Sequence, residues 1–495
     1  MTASDLPVSP ARLQGRQDLA IDAVWSTTYF LIAAAVQWFV SYPLDMDSAY
    51  HAAVGRLIRE HGILHAFPWT PFSWLSDHYA DKELLFHFFF VPFAGMDWIV
   101  ATRIVGTLCG GLLLLTFYLV LRAEGVPMAG VWGLVPLLSS GYFVFRFGVV
   151  RPFVIAIALT VVLFWAAARR RTALVAAIAF LYPWSYVAFW QLPCLVLFTV
   201  EVARILSGRR ACWQPAVVAA TGVAFGVAVH PNAANLLGVS WINMTETLFR
   251  STWGGRENFE MGRELRPFIA AQWGCWLAAS VAMTSTALFF SWRHRRHALV
   301  PFTFAVAALV FGALTITSGK FAEYFIPFSA LALALASPGI SWRYLVAATA
   351  GLSLLYTAAE GWPTVAGMHR RAPDLSPEIA QALQREIPPG SQVFTSDWDF
   401  TGLLMLTLPD RRFIVALDPI FFHARNPELS GLWYRIIKEA PPGSAEMIRR
   451  RFGARYVLAT TFQDRMPFIS RISSEPGVYT LLVSDVWALF DLGVR

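Results

Sequence analysis

Through about the first 360 residues, long apolar runs alternate with short polar breaks, and the runs have the length of membrane-crossing helices. About eleven can be read, at roughly 17–25 residues each. The first covers about Trp25 to Ser41, and the second follows Arg103 and ends near Leu121. The others lie near 128–145, 152–168, 172–188, 191–206, 215–230, 268–292, 298–318, 322–337 and 342–358. Alternate breaks carry Arg12 and Arg16, Arg122, Arg169 to Arg171, Arg204 with Arg209 and Arg210, Arg293 with Arg295 and Arg296, and Arg343. The positive-inside rule assigns that side to the cytoplasm, which predicts N-in and, with an odd number of spans, C-out.

Three breaks on the other side are too long to be turns: about 42–102, about 231–267, and the tail from about 359. The tail changes character. Ser376-Pro377-Glu378 reads as a helix start, with serine as cap and proline in the first turn. QVFTS (392–396), RFIVAL (412–417), RYVLAT (455–460) and VYTLLVS (478–484) read as strands, with helical stretches such as SAEMIRRRFG between them. The predicted fold is mainly α: a polytopic transmembrane bundle over 1–358, and a small three-layer α/β domain outside the membrane over 359–495.

Composition agrees with a membrane solvent. Of 495 residues, 56% are hydrophobic and 14% charged, about half the charged share of a soluble domain. The net charge of +7 resides mostly in the arginine breaks, which reads as topology and not as a nucleic-acid surface. Cys109, Cys194, Cys212 and Cys275 lie within or beside apolar runs, so no disulfide framework or zinc spacing is expected. The polar N-terminal stretch lacks the pattern of a cleavable signal peptide, and the first run reads as a signal anchor.

Few ionisable residues lie mid-span, where a transporter would place them. They gather at the outer ends: Asp45, Asp47, His51, Asp81, Lys82, Glu83, His87, Arg103, Arg146, Arg151, His230, Lys320 and Glu323. Such a band fits chemistry on a lipid headgroup; its plain alternative is a set of interfacial side chains reaching to water. In the first outer loop, Pro43 ends the first span. Asp45 and Asp47 follow in an extended stretch, and a helix runs from there to about His61, stopped by Gly62. Its face of Tyr50, Val54, Leu57 and Ile58 is expected on the membrane surface. Two carboxylates one residue apart suit a divalent metal or a general base, and either could instead cap the helix. Phe67, Trp69, Phe72, Trp74 and Tyr79 read as an interfacial belt or as a stacking surface for a sugar or prenyl chain. Glu257, Glu260 and Glu264 stand at helical spacing, either as a source of a third carboxylate or as a solvated helix.

This order of features resembles the GT-C superfamily of membrane glycosyltransferases. In the first loop, Asp47, Tyr50-His51, Glu60-His61-Gly62 and Phe67-Pro68-Trp69 resemble the pattern of the oligosaccharyltransferase catalytic subunit. DKELLFHFFFVPF followed by DWIVATRIVG is similar to the protein O-mannosyltransferase and aminoarabinose-transferase branches, with their arginine falling on Arg103. SGKFAEYFIP resembles a basic-x-x-x-Tyr-x-x-Pro element of late spans, carried here by Lys320, Tyr324 and Pro327. In the tail, Trp398, Asp399, Phe400 and Gly402 resemble the tryptophan–aspartate motif of oligosaccharyltransferase, and RRFIVALD and AEMIRRRFGARYVLA resemble the pieces after it. Asp397 replaces that motif's first tryptophan and Thr401 intrudes before its glycine, so a role in reading a peptide is not implied.

The resemblance implies transfer of a sugar from a polyprenyl-phosphate or -diphosphate donor to a glycan, lipid or protein acceptor at the outer face, as in a bacterial inner membrane. It implies Asp47 as the catalytic carboxylate, supported by Asp45. A divalent metal (Mg or Mn) held by Asp45 and Asp47 and a metal-independent route both stay open. His51, Arg103, Arg146, Arg151, Lys320 and Tyr324 are the implied substrate and lipid-phosphate contacts, with Trp398 and Asp399 on the acceptor side. The bilayer is a partner and nucleic acid is not. The other reading is a lipid-linked saccharide flippase, or a non-catalytic assembly protein of like topology.

Overall fold

The computed structural model describes residues 10–40, 46–249, 263–337, 351, 375–416 and 418–493. Asp45, Glu257, Glu260, Arg343, the expected span 342–358 and the expected boundary at 358/359 lie outside them.

The chain is an integral membrane protein. Among the described residues five helical stretches are long and apolar enough to cross a bilayer: Asp18–Phe39, Trp98–Ala123, Ala270–His294, Leu299–Thr317 and Gly319–Ala336. Two bent pairs raise the number to seven: Gly141–Gly148 with Phe153–Ala168, bent by 114°, and Gln214–Ala228 with Ala233–Glu246, bent by 115°. Several runs expected as full spans are therefore halves of bent pairs or short apolar helices such as Thr172–Ser185. Hydropathy registers apolar length and is blind to a sharp turn, so it cannot tell a bent pair from a straight span.

The helix Ala322–Ala336 is buried on every side. Lipid tails are as apolar as leucine, so close packing is what holds membrane helices together, and its alternating alanines let neighbours approach. Phe328 fills the space beside it, against Phe164 at 5.1 Å and Phe304 at 5.6 Å between ring centres. Among the described residues, arginines of the breaks after Leu121, Ala168, Leu206 and Trp292 meet at one end of the bundle. Arg169 pairs with Glu124, Arg295 Nε donates to the Leu206 carbonyl at 3.0 Å, and Arg169, Arg209, His294 and His297 line one cavity of about 470 Å³.

At the opposite end, helix α2 (Met46–His61) follows helix α1 (Pro10–Ala35), and Gly62, at φ +77°, takes the left-handed turn that stops it. The expectation that the Tyr50, Val54, Leu57 and Ile58 face lies on the membrane is corrected: all four are buried in protein. Helix α3 (Leu84–Phe90), helix α4 (Trp98–Ala123) and the helix Thr401–Thr407 of the tail pack on α2. An amphipathic pattern shows that one face is covered but not whether lipid or protein covers it.

The tail forms a five-stranded sheet in the order β2-β1-β3-β5-β4, with β1 Gln392–Thr395, β2 Arg412–Phe413, β3 Tyr456–Thr460, β4 Tyr479–Val483 and β5 Trp487–Asp491. β1 pairs in parallel with β2 and β3, while β5 pairs antiparallel with β3 and β4. Ser376 caps the helix Pro377–Glu386 through Ile379 N–H, and the helix Ser444–Phe452 falls where the sequence places it. Ser484-Asp485 turns the chain into strand β5, with Ser484 Oγ accepting from Val486 and Trp487 N–H, but burial on both faces removes the alternation that would have marked the strand itself. Beside β2, Phe413 N–H donates to the Trp69 carbonyl (2.7 Å) and the Val415 carbonyl accepts from Thr401 Oγ1 (2.6 Å).

Alternate strand residues serve different cores. Phe394, Val457, Ala459, Ala488 and Phe490 pack with the tail's own helices. Val393, Phe413, Tyr456, Leu458, Trp487 and Leu489 join the main core, shared with the first outer loop and the bundle. The aromatics of that loop belong to the same seam, neither a lipid-facing belt nor an open stacking surface. Trp69 Nε1 donates to the Pro409 carbonyl at 2.9 Å, and Phe72 packs on Phe422 and Phe452. A Cβ added at Gly402 would sit 2.5 Å from the backbone N and Cα of Tyr50, so glycine is required by close approach to α2. Gly402→Ala is expected to cost about 1–3 kcal/mol by forcing the two helices apart. The check is the unfolding temperature of the detergent-solubilised protein; an unchanged value would mean that α2 can retreat without loss.

Candidate functional site

The end of the bundle beneath the tail domain gathers charge. Asp47 sits in the first turn of α2, anchored by Ser48 Oγ donating to the Val150 carbonyl at 3.2 Å. Arg151 follows directly, at the bend between Gly141–Gly148 and Phe153–Ala168. Its Nη1 meets Asp47 Oδ2 at 2.9 Å and Glu264 Oε1 at 3.0 Å. Two carboxylates from distant parts of the chain thus meet at one guanidinium nitrogen, all three partly open to water. The solvated-helix reading is corrected for Glu264, which lies in the one-turn helix Arg263–Leu265 and turns inward to Arg151. Gly319 N–H donates to the Arg266 carbonyl at 2.9 Å and holds this segment against the start of the helix that carries Lys320 and Glu323.

Arg146 and Glu323 form a second pair, buried on both sides, with the guanidinium also 4.7 Å from the centre of the Phe153 ring. Lys82 reaches out of the first loop toward Asp418 of the tail at 3.6 Å. Lys320 is half-buried among Tyr186, Glu264, Glu323 and Asp418, and forms no ion pair among the described residues. Burial works against the charge on Lys82, but Glu83 and Asp418 more than offset it and hold the ammonium above its ordinary range.

Burial alone would push the Glu264 carboxyl up, yet Arg151, Arg146 and Lys320 hold it well below the usual range. The folded carboxyl is then more acidic than the unfolded one, so the unfolded chain takes the proton first as pH falls. Its contribution to stability is complete above the ordinary value of 4.5 and drains away below it. The stability gap between the wild type and Glu264→Gln is expected to narrow as pH drops from about 6 to about 3. Unfolding of both proteins in micelles across that range measures it; a constant gap would show that Glu264 gains nothing from Arg151.

One turn along α2 from Asp47, His51 Nδ1 lies 2.8 Å from His87 Nε2, and His87 Nδ1 lies 2.7 Å from Asp81 Oδ2. Glu83 N–H donates to Asp81 Oδ1 (3.0 Å), and Asp81 N–H donates to Asn232 Oδ1 (3.3 Å). Burial first, then His87, Arg151 and Lys82, hold His51 well below the ordinary imidazole range and so neutral.

Of the residues singled out from the sequence, the structure brings Asp47, Arg151, Lys320 and Arg146 to one end of the bundle, with His51 a turn away. Others lie apart. Arg103 stands over the Trp38 ring, 5.1 Å from its centre. Tyr324 is buried and stacked on Phe311 at 5.0 Å. Trp398 packs on the tail core, and Asp399 is exposed. Asp397, which breaks the tail motif, is buried and accepts from Ser396, Thr460 and Arg465. Asp418 and Asn232 were missed from the sequence, because nothing local marks a residue whose partner lies hundreds of positions away.

Neither a protein-family model nor a curated protein matches the sequence. Solved structures do. ArnT from Cupriavidus metallidurans bound to undecaprenyl phosphate is similar at a TM-score of 0.59 and 13% identity, over 96% of this chain and 99% of that one. The apo state of the same protein gives 0.54 and 11%, over 97% and 100%. The fold is thus ArnT-like over nearly the whole chain.

Proposed function

We propose that this chain is a GT-C-type glycosyltransferase that takes a sugar from a polyprenyl-phosphate-linked donor and passes it to an acceptor at the outer face, in a bacterial inner membrane. The observation that carries this reading is the meeting of Asp47, Arg151 and Glu264 at one end of the bundle, with Lys320 and Lys82 beside them. Described spans hold their ionisable groups at their ends, which suits chemistry at a headgroup better than passage through the midplane. The likeness to an ArnT that binds undecaprenyl phosphate supports the lipid-linked donor.

In this reading Asp47 is the carboxylate that accepts the acceptor's proton, with Asp45 in support, and Arg151 orients it. Lys320 and Lys82 receive the lipid phosphate as it leaves. Arg146 and His51 shape the surroundings of the donor, Arg103 and Tyr324 act from farther off, and Trp398 and Asp399 are assigned to the acceptor side. The donors around Asp47 are carboxylate oxygens, which suit magnesium or manganese. Asp47 and Asp45 would hold such an ion, which would supply charge neutralisation at the phosphate. Arg151 and Lys320 together offset the charges of Asp47 and Glu264, so the two carboxylates need no metal for their own stability.

The test is turnover by the purified protein in vesicles supplied with a polyprenyl-phosphate sugar and candidate acceptors. Release of polyprenyl phosphate coupled to acceptor glycosylation is the expected result. Movement of the intact donor across the bilayer without cleavage would instead establish the flippase reading.

A further inference from the structure

We infer that His51, His87 and Glu83 form a binding site for a zinc-class divalent ion, with Asp81 orienting the second histidine. His51 Nδ1, His87 Nε2 and a Glu83 carboxylate oxygen all lie within 4.8 Å of one another, and all three residues are buried. The two facing imidazole nitrogens are 2.8 Å apart, and Glu83 Oε2 is 4.0 Å from His51 Nδ1. A tetrahedral zinc with Zn–N of about 2.0–2.1 Å sets ligand atoms roughly 3.3 Å apart. The two His51 contacts therefore need to shift by less than about 1 Å, and the His87–Glu83 contact by about 1.5 Å at most, within the reach of side-chain rotation.

The surroundings fit an ion better than a bare hydrogen bond. His87 Nδ1 is engaged by Asp81 Oδ2 at 2.7 Å, the carboxylate–histidine arrangement that fixes the tautomer of a metal-bound imidazole and leaves Nε2 as the ligand atom. Asp81 is itself fixed, by Glu83 N–H and by its own N–H on Asn232. Lys82, between the two acids in sequence, turns away to Asp418. Asp81 and Glu83 face the two histidines, Lys82 offsets part of the Glu83 charge, and a dication would balance what remains. Two nitrogens and one oxygen select zinc-class ions over magnesium or manganese and leave a fourth position for water. The site lies a helical turn from Asp47, and the inference does not rest on the transferase reading.

The experiment uses full-length protein in detergent, stripped with a chelator and equilibrated with zinc at a buffered free concentration. Wild type is expected to take up one zinc per chain that excess magnesium does not displace. Its zinc X-ray absorption spectrum should show two imidazoles and oxygen donors, a result that needs no variant to fold. His51→Gln and His87→Gln should lose the ion at the same free zinc. Asp81→Asn should bind roughly 10- to 100-fold more weakly, and Asp47→Asn should bind as the wild type does. Failure of the wild type to bind zinc, a first shell without imidazole, or full zinc in both histidine variants would overturn the site. Wild-type affinity in Asp81→Asn would remove Asp81 from it.

Discussion

Asp47→Asn is expected to lower turnover from a polyprenyl-linked sugar at least about 100-fold, with KM little changed. Asparagine keeps the shape of the side chain but can neither take a proton nor balance Arg151. The fold should survive. Arg151 keeps Glu264 at 3.0 Å, and a partly exposed ion pair is worth only about 0–1 kcal/mol. Release of polyprenyl phosphate by the reconstituted variant, beside an unfolding curve, separates chemistry from stability. Glu264→Gln is the matched control, since Glu264 meets the same nitrogen. A larger loss there than in Asp47→Asn would transfer the role to Glu264, and wild-type turnover in Asp47→Asn would end the assignment.

The second large effect concerns stability. Arg146 and Glu323 are both buried, so removing either strands a charge away from water. Arg146→Met and Glu323→Leu are each expected to cost about 3–5 kcal/mol. The double variant should recover most of that loss, because a pair of apolar side chains of similar size leaves no unpaired charge. The Arg146 guanidinium over Phe153 is the one favourable contact the double variant does not restore. Denaturant unfolding of the three proteins in micelles gives the cycle. Additive losses would mean that the two residues do not act as a pair.

How much of this was legible from the sequence depends on the range over which each signal acts. The apolar character of the bundle, the Ser376 cap and the strand pattern of β1 and β3 are local, and they read correctly, whereas the number of spans did not. The bends were hidden because hydropathy has no angle. The cover of α2 was hidden because burial against Thr401–Thr407 and against lipid leave the same amphipathic stripe. At the site, Asp47 and Arg151 stood out as charges at span ends, but Glu264 joins their pair from a loop more than a hundred residues away. The charge band named His51, Asp81, Glu83 and His87 one by one; only the packing of α2 against α3 brings their ring nitrogens and carboxylates to a common point.

The seam between the first outer loop and the tail sheet sets a condition on biosynthesis. Trp69 and the Pro409 carbonyl that accepts its N–H are 340 residues apart. At roughly 5–20 residues per second, the ribosome delivers the second partner some 20–70 s after the first. For that interval Phe67, Trp69, Phe72 and the apolar side of α2 stand outside the membrane without the strands that cover them. The tail-bearing half of the molecule is therefore completed last, and a nascent chain halted before β5 leaves this apolar seam open to chaperones and proteases.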